Sequence, residues 1–185
     1  MVEHVIRRHY ASIVHQNQGT QEYLDWQIHY RQAGKGAPVV LLHPSPFSSQ
    51  FMTPLIQLFA THSLAIAWDT PGYGQSDALP TAAPGLDPYV EALHNFIDAL
   101  GLSKPVIYGS ATGAQIAIEY ARKYPKHVRG LLLENVAWFF DEERSKRSKR
   151  SSREFSCMKN KKVIKISSSK HVRQELVKTH SYLHT

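Results

Sequence analysis

The chain contains very little cysteine and no long apolar run. Cys157 is the single cysteine among 185 residues, which excludes an internal disulfide and favours a reducing compartment. No segment approaches the roughly 20 apolar residues of a membrane-spanning helix, and residues 1–16 carry charges where a secretory signal would be apolar. The composition therefore predicts a globular, cytoplasmic protein with no membrane partner.

Charged residues are unevenly distributed along the chain. Residues 1–140 contain 9 Lys and Arg against 10 Asp and Glu, whereas residues 141–185 contain 13 against 5. We therefore expect one domain in 1–140 and a basic, low-complexity tail in 141–185. The tail has too little apolar surface to offset the entropy of ordering, so it is predicted to be disordered or loosely helical, with one lone strand in KKVIKIS (161–167).

Short apolar runs alternate with longer amphipathic segments after residue 38. The runs have the pattern of strands buried on both faces: VVLLH (39–43), LAIAW (64–68), PVIY (105–108) and GLLLEN (130–135). The segments between them predict helices in 50–62, 87–101 and 113–125. Residues 7–15 and 22–34 alternate apolar and polar side chains, which favours an antiparallel hairpin. Together these patterns predict an α/β fold with a doubly wound, mostly parallel sheet and an N-terminal hairpin.

Three loops rich in proline, glycine and hydroxyl residues follow three of the predicted strands. They read LLHPSPFSS (41–49), WDTPGYGQSD (68–77) and YGSATGAQ (108–115). In this order they resemble the His-Gly-x-Pro oxyanion loop, the Asp-x-Pro-Gly-x-Gly-x-Ser loop and the Gly-x-Ser-x-Gly nucleophile elbow of the α/β-hydrolase family. The resemblance covers about residues 5–140 and lacks the family's last strands and cap. It implies an ancestor that hydrolysed a small ester, amide or related bond without a cofactor.

The resemblance also implies roles for individual residues. The backbone N–H groups of Ser45 and Thr112 would form the oxyanion hole. Pro44 stands where the family usually has glycine. His43 would orient the oxyanion loop, and Asp69 would accept hydrogen bonds from the backbone of its own turn. The residues that shape the three loops would be His43, Pro44, Asp69, Gly72, Gly74, Gly109 and Gly113.

The position of the family's nucleophile is occupied by Ala111. Aligning Gly109 and Gly113 with the two glycines of the elbow leaves Ala111 at the serine position. A methyl group cannot attack a substrate, so covalent catalysis at this residue is excluded. The Asp and His that some family members carry there are absent too. Ser110 is the fallback nucleophile only if the turn shifts by one residue, which would displace both glycines.

The acid and the histidine that follow the nucleophile in this family have no recognisable counterpart. The family pattern ends near residue 143, and the later histidines lie among Lys and Ser: His171, His180 and His184. The histidines of the predicted hairpin region are interpreted as surface or packing residues without metal-ligand spacing: His4, His9, His15 and His29. No metal site is predicted.

Two hypotheses from different classes are left open, with a weaker third. The first is a truncated, impaired hydrolase whose sixth strand is an unprotected edge and whose sequence after residue 143 is frame-shifted or unrelated. The second is a non-catalytic protein that binds a small molecule and contacts acidic partners through its tail. The stretch RSKRSKRSSR (144–153) would attract nucleic-acid phosphates, although no aromatic residues are interleaved for base stacking. The third is slow hydrolysis by water held at the oxyanion loop.

Overall fold

The computed structural model describes residues 3–16, 23–79, 85–136 and 164–167. In these ranges the strands are β1 (Arg7–Gln16), β2 (Tyr23–Ala33), β3 (Pro38–Leu42), β4 (Leu64–Trp68), β5 (Val106–Ser110), β6 (Gly130–Glu134) and β7 (Ile164–Ser167). The helices are a 3₁₀ turn (Ser49–Met52), α1 (Thr53–Ala60), α2 (Asp87–Ala99) and α3 (Thr112–Lys123). None of these helices is long and apolar enough to cross a membrane.

The strands described form a single sheet in the order β1-β2-β4-β3-β5-β6-β7. The four central strands, β4, β3, β5 and β6, are parallel to one another. The hairpin of β1 and β2 pairs antiparallel with itself and with β4. The predicted fold class, a mostly parallel sheet with an N-terminal antiparallel hairpin, is confirmed.

Both faces of β3, β4 and β5 are buried, because helices cover the sheet on two sides, whereas only alternate residues of β6 are buried. In β3, Val40 and Leu42 join a core cluster with α2 and α3 on one face. Val39 and Leu41 alternate with them and join a second cluster with α1 on the other face. Successive side chains of a strand point to opposite faces, so continuous apolar runs are what a sheet between two helix layers requires.

The end of the sheet next to β6 differs from the sequence prediction. We predicted that β6 would be an unprotected edge and that the strand in 161–167 would stand alone. The backbone of β7 instead pairs antiparallel with β6, with Gly130 opposite Ser167 and Leu133 opposite Ile164. The apolar alternation of this tail segment indicated a strand, but its partner could not be inferred from so short a pattern. The rest of the predicted tail lies outside the described residues.

Candidate functional site

The carboxyl ends of the four parallel strands are joined to one another by hydrogen bonds. After β3, the Ser45 N–H donates to Thr112 Oγ1, 2.7 Å away, at the start of α3. After β5, the Ala111 N–H donates to the Glu134 carbonyl at the end of β6, over 3.0 Å. The ends of parallel strands share one edge of a sheet, and crevices at that edge are the usual ligand sites of α/β proteins. After β4, the Thr70 N–H donates to His43 Nε2 over 3.0 Å, so the three motif loops meet in one place.

Ala111 forms the sharp turn between β5 and α3. Its backbone angles are φ 49° and ψ −110°, in a region that residues with a Cβ rarely adopt. The flanking glycines are required by close packing. A Cβ at Gly109 would lie 2.5 Å from the Gly113 carbonyl oxygen, and one at Gly113 would collide with the carbonyl oxygen of Leu42. The glycine spacing thus has a steric reason that does not depend on which side chain Ala111 carries.

Ser110, the fallback nucleophile, is the last residue of β5 and is buried. Its Cα lies opposite that of Glu134 in the parallel pairing with β6. The turn begins at Ala111, so the structure places Ser110 in the sheet and not at the apex.

Ser45 and Thr112, the residues predicted to bind an oxyanion, contact each other. Thr112 Oγ1 accepts the Ser45 N–H and lies 3.2 Å from Ser45 Oγ. Thr112 is the first residue of α3, where a backbone N–H has no partner within the helix. One of the two predicted donors is therefore already engaged by a threonine hydroxyl. An anionic oxygen could use the Ser45 N–H only by displacing that hydroxyl.

His43 connects the loop after β3 to the loop after β4. Its Nδ1 lies 3.0 Å from the Pro44 carbonyl oxygen, and its Nε2 accepts the Thr70 N–H over 3.0 Å. Both bonds are satisfied together only by a neutral ring with its proton on Nδ1. Burial lowers the pKa of His43, and the hydrogen bond to Pro44 and the charge of Asp69 oppose this shift only in part. The ring is thus a neutral tie between two loops.

Asp69, at the end of β4, is a buried carboxylate with several donors around it. Its Oδ1 accepts the Ser49 N–H over 2.5 Å, and its Oδ2 accepts the Gln75 N–H over 2.9 Å. Burial raises the pKa of Asp69, but the hydrogen bonds from Ser49, Gln75 and His29 outweigh it and hold the pKa below its usual value.

Gly74 has φ 58°, and a Cβ there would overlap the carboxylate of Asp69. Gly72 also has positive φ, 83°, and donates to the Asp77 carbonyl.

His29 lies in this buried network, a role that its sequence did not reveal. The residue is 1% exposed, and its Nδ1 lies 2.8 Å from Asp69 Oδ2. We had interpreted His29 as a surface or packing residue because it stands among alternating residues of a hairpin strand. Its partner is 40 residues away. The proline and glycine motif after β4 marked Asp69 but gave no sign of which side chain faces it.

Glu134 is an acidic residue that the sequence analysis did not assign to the site. It ends β6 opposite Ser110, and its carboxylate accepts a hydrogen bond from the Tyr108 hydroxyl. Burial and this bond to Glu134 raise the pKa of Tyr108. The available sequence signal was an acidic residue directly after the apolar run of a predicted strand. A carboxylate therefore lies at the carboxyl end of β6, bonded to Tyr108 of the neighbouring strand.

Of the other predicted histidines, His4 and His9 make their contacts away from these loops. His9 stacks on Tyr30 with ring centroids 5.3 Å apart, and the His4 N–H donates to Gln57. His15 is part of β1. The later residues lie outside the described ranges: His171, His180, His184 and the basic stretch 144–153.

A shallow groove of about 420 Å³ lies beside the Ser45 loop. It is lined by Pro46, Phe47, Ser48, Gln50, Phe51 and Gly74. The rings of Phe47 and Phe51 stack with centroids 4.5 Å apart, and about half of each residue is exposed (48% and 53%). Ala111 is not among the lining residues, so the groove lies next to the loops and not over the turn.

Comparison with known proteins identifies the family. Residues 37–155 match the model of the alpha/beta hydrolase fold. The chain therefore belongs to the α/β-hydrolase family. The match runs past residue 140, where we predicted the domain to end.

Individual relatives match only part of this chain. This chain in turn covers half of their length or less. A 2-hydroxy-6-oxononadienedioate/2-hydroxy-6-oxononatrienedioate hydrolase from Pseudomonas putida is 36% identical over 115 residues, which is 60% of this chain and 40% of the relative. The haloalkane dehalogenase DbeA from Bradyrhizobium elkani matches with a TM-score of 0.59 and 29% identity, over 70% of this chain and 41% of that one. A thermophilic esterase from Thermogutta terrifontis shares the fold, with a TM-score of 0.65, 23% identity, and coverage of 76% and 50%. The chain thus spans about two fifths of the length of the curated relative.

Proposed function

We propose that this chain keeps the site framework of a hydrolase for a small ester or related bond but is impaired in that reaction. The observation that carries the proposal is Ala111 at the apex of the turn between β5 and α3. In the Gly-x-Ser-x-Gly arrangement this apex presents the nucleophile to the substrate. A methyl group supplies neither a lone pair for attack nor a proton to transfer. In this proposal the turn is a nucleophile elbow without its nucleophile.

The contacts around Ala111 support the proposal. The Ser45 N–H, one of two proposed oxyanion donors, is bonded to Thr112 Oγ1 at 2.7 Å. Stabilisation of an oxyanion depends on donors that are aimed at the developing charge before the reaction begins. Here a ligand oxygen would have to compete with an existing hydrogen bond. Both the attack and the stabilisation of its product would therefore be weaker than in an active member of the fold.

The substrate class rests on the relatives and on the groove. Two relatives are named as a hydrolase for 2-hydroxy-6-oxononadienedioate and as a haloalkane dehalogenase. 2-Hydroxy-6-oxononadienedioate and haloalkanes are both small organic molecules. The exposed, stacked rings of Phe47 and Phe51 beside the loops suit the apolar part of such a molecule. A location in the cytoplasm, which the composition favours, belongs to the same proposal.

Hydrolysis of p-nitrophenyl acetate by three purified proteins tests the proposed impairment. We expect the unaltered chain to release p-nitrophenol no faster than the control variant Ala111→Gly, which has no possible nucleophile at the turn. We expect no gain from Ala111→Ser, since no histidine has been assigned to deprotonate the new hydroxyl. Saturable turnover by the unaltered chain would contradict the proposal, whether or not Ala111→Gly keeps it, because neither side chain can act as a nucleophile. Turnover by Ala111→Ser alone would show that a base is present and that only the nucleophile is missing.

A second candidate function is non-catalytic binding, in which the groove holds a ligand and the tail contacts an acidic partner. The observation that favours it is the charge of residues 141–185, with 13 Lys and Arg against 5 Asp and Glu. Binding to an anionic polymer such as heparin should then weaken steeply with salt, because counterions are released from the polymer. Replacing the Lys and Arg residues of 144–153 by Gln should remove most of this binding. Equal binding to heparin by the unaltered chain and by the Gln variant would contradict this role of the tail.

A further inference from the structure

Three potential metal ligands lie together on the outer side of α2 and α3, away from the loops described above. His94 and Asp98 stand four residues apart on α2, so they share one face of the helix. His127 belongs to the turn between α3 and β6. The donor atoms of all three side chains lie within 4.8 Å of one another. This set is called the His94 cluster below.

The distances within the His94 cluster are close to those of a coordination sphere. His94 Nε2 lies 3.6 Å from Asp98 Oδ2. Two ligands at about 2.0–2.1 Å from a tetrahedral zinc ion are themselves roughly 3.4 Å apart. Asp98 and His127 are exposed, so their side chains can rotate by the small amount that the longer separations require. The backbone need not move for three atoms to reach one ion.

The ring of His94 is held in place by two tyrosines. It stacks on Tyr124 with centroids 3.9 Å apart and planes 14° apart. Its Nδ1 lies 3.5 Å from the hydroxyl of Tyr120, which is fully buried. When the ring proton is on Nδ1 and is donated to the tyrosine oxygen, Nε2 faces Asp98 with its lone pair free. Metal-bound histidines are usually oriented in this way through the second ring nitrogen.

The local charge also suits a cation. Asp98 contributes one carboxylate, and Glu91 lies about two turns earlier on the same helix. Lys123 is one of the cations nearby, and its ammonium is paired with Glu91. The hydrogen bonds of Glu91 with Lys123 and Tyr124 hold the pKa of its carboxyl below the usual value, although burial opposes this shift. The Glu91 carboxylate therefore remains negative at neutral pH.

We propose that His94, Asp98 and His127 bind a divalent transition metal of the zinc class. Two imidazole nitrogens and one carboxylate oxygen are ligands that favour Zn²⁺, Co²⁺, Ni²⁺ or Cu²⁺ over Mg²⁺ and Ca²⁺, which prefer oxygen. Water would fill the rest of the coordination sphere. The ion would connect α2 to the turn after α3 and stabilise the folded chain by binding to it alone. Spacing in the sequence did not indicate this site, because the third ligand comes from a different element.

Calorimetric titration with Zn²⁺ tests the proposal on the full chain without a purification tag. The reference protein carries His171→Gln, His180→Gln and His184→Gln, so that histidines of the tail do not contribute. We expect one Zn²⁺ to bind per chain and the thermal midpoint to rise with Zn²⁺ but not with Mg²⁺. His127→Gln and Asp98→Asn, both at exposed positions, should each weaken Zn²⁺ binding at least about tenfold. His62→Gln, at another exposed histidine, should leave the affinity unchanged.

Two results would overturn the proposal. One is the absence of saturable Zn²⁺ binding by the reference protein. The other is one-to-one binding that survives both His127→Gln and Asp98→Asn. The thermal midpoints of the metal-free variants show whether each substitution leaves the fold intact. A loss of Zn²⁺ binding in variants whose metal-free midpoints match the reference protein would support the His94 cluster as the site.

Discussion

The loop after β4 and the turn after β5 lie at the same edge of the sheet, but they differ in the contacts that their side chains make. Around Asp69, a buried carboxylate is bonded to donors from three other parts of the chain, and His43 ties the neighbouring loop to it. At Ala111, the backbone has an uncommon conformation, yet the side chain is a single methyl group. The difference indicates that the interactions that build the framework are separable from the group that performs the chemistry. Substitutions in the two regions should therefore have different consequences.

The largest expected effect is the loss of the Asp69 carboxylate. Asp69→Ala leaves the Ser49 and Gln75 N–H groups and the His29 ring without their buried acceptor. Removing one partner of a buried charged network costs about 3–5 kcal/mol of the free energy of unfolding. Urea denaturation should show this loss. The control Asp25→Ala, at an exposed position of β2, should change stability by less than about 0.5 kcal/mol. Equal effects of the two substitutions would contradict the structural role of Asp69.

A somewhat smaller loss is expected from a methyl group added beside the turn. In Gly113→Ala the new Cβ would collide with the Leu42 carbonyl, so α3 must move away from β3. Overpacking of this kind costs about 1–3 kcal/mol. The control Gly85→Ala adds a Cβ with no neighbour within 4 Å. Urea denaturation of the pair compares the two sites. If Gly113→Ala were as stable as Gly85→Ala, the glycine spacing would not have the steric origin given above.

The third prediction concerns the pH dependence of stability through His43. Burial lowers the pKa of His43 in the folded chain, so the unfolded chain binds a proton more readily. The contribution of His43 is therefore complete above the unfolded pKa of about 6.5 and is lost as the pH falls below it toward the folded pKa. Urea denaturation between pH 7 and 5 should show this decline in the unaltered chain.

The variant His43→Gln should flatten that decline, whereas His62→Gln, at an exposed position, should preserve it. The lowered pKa of Asp69 acts in a separate range. Its stabilisation is present above the unfolded pKa of about 3.9 and is lost as the pH falls through the folded value. If the free energy of unfolding of His43→Gln fell between pH 7 and 5 as steeply as that of the unaltered chain, protonation of His43 would not be the cause of the decline.

The smallest expected effect is a gain in stability at the turn. Ala111→Gly removes a Cβ from a conformation that glycine adopts readily, and relief of such strain outweighs the added chain entropy by about 1 kcal/mol. Ala117→Gly, in the middle of α3, should instead lower stability by about 1 kcal/mol or more. Thermal denaturation distinguishes the two signs. A loss of stability in Ala111→Gly would show that the turn is not strained.

Most of the fold could be predicted because the strands are short apolar runs with turn residues on either side. The run 64–68 coincides with β4, the run 39–43 differs from β3 by one residue at each end, and the run 130–135 is one residue longer than β6. The hairpin was visible from its alternation of apolar and polar residues. The pairing of β7 with β6 could not be inferred, because a four-residue strand after a long basic segment does not specify its neighbour.

The site was predictable only as far as its motifs reach. The glycines and Ala111 could be located because their spacing reflects local sterics. The bond between Ser45 and Thr112 joins residues 67 positions apart and depends on how two loops face each other. The pairing of His29 with Asp69 depends in the same way on the neighbouring strands β2 and β4. Local pattern gives no information on such contacts.

The most direct test of the central claim is mass spectrometry of the intact chain after incubation with a fluorophosphonate probe. Such probes phosphonylate a serine only where a neighbouring base activates it. We predict no added mass on the native chain, since Ala111 stands at the apex of the turn and Ser110 is buried in β5. The heat-denatured chain serves as the control for non-specific labelling. A single adduct that forms only on the native chain and maps to Ser110 would contradict the claim that the framework has lost its nucleophile.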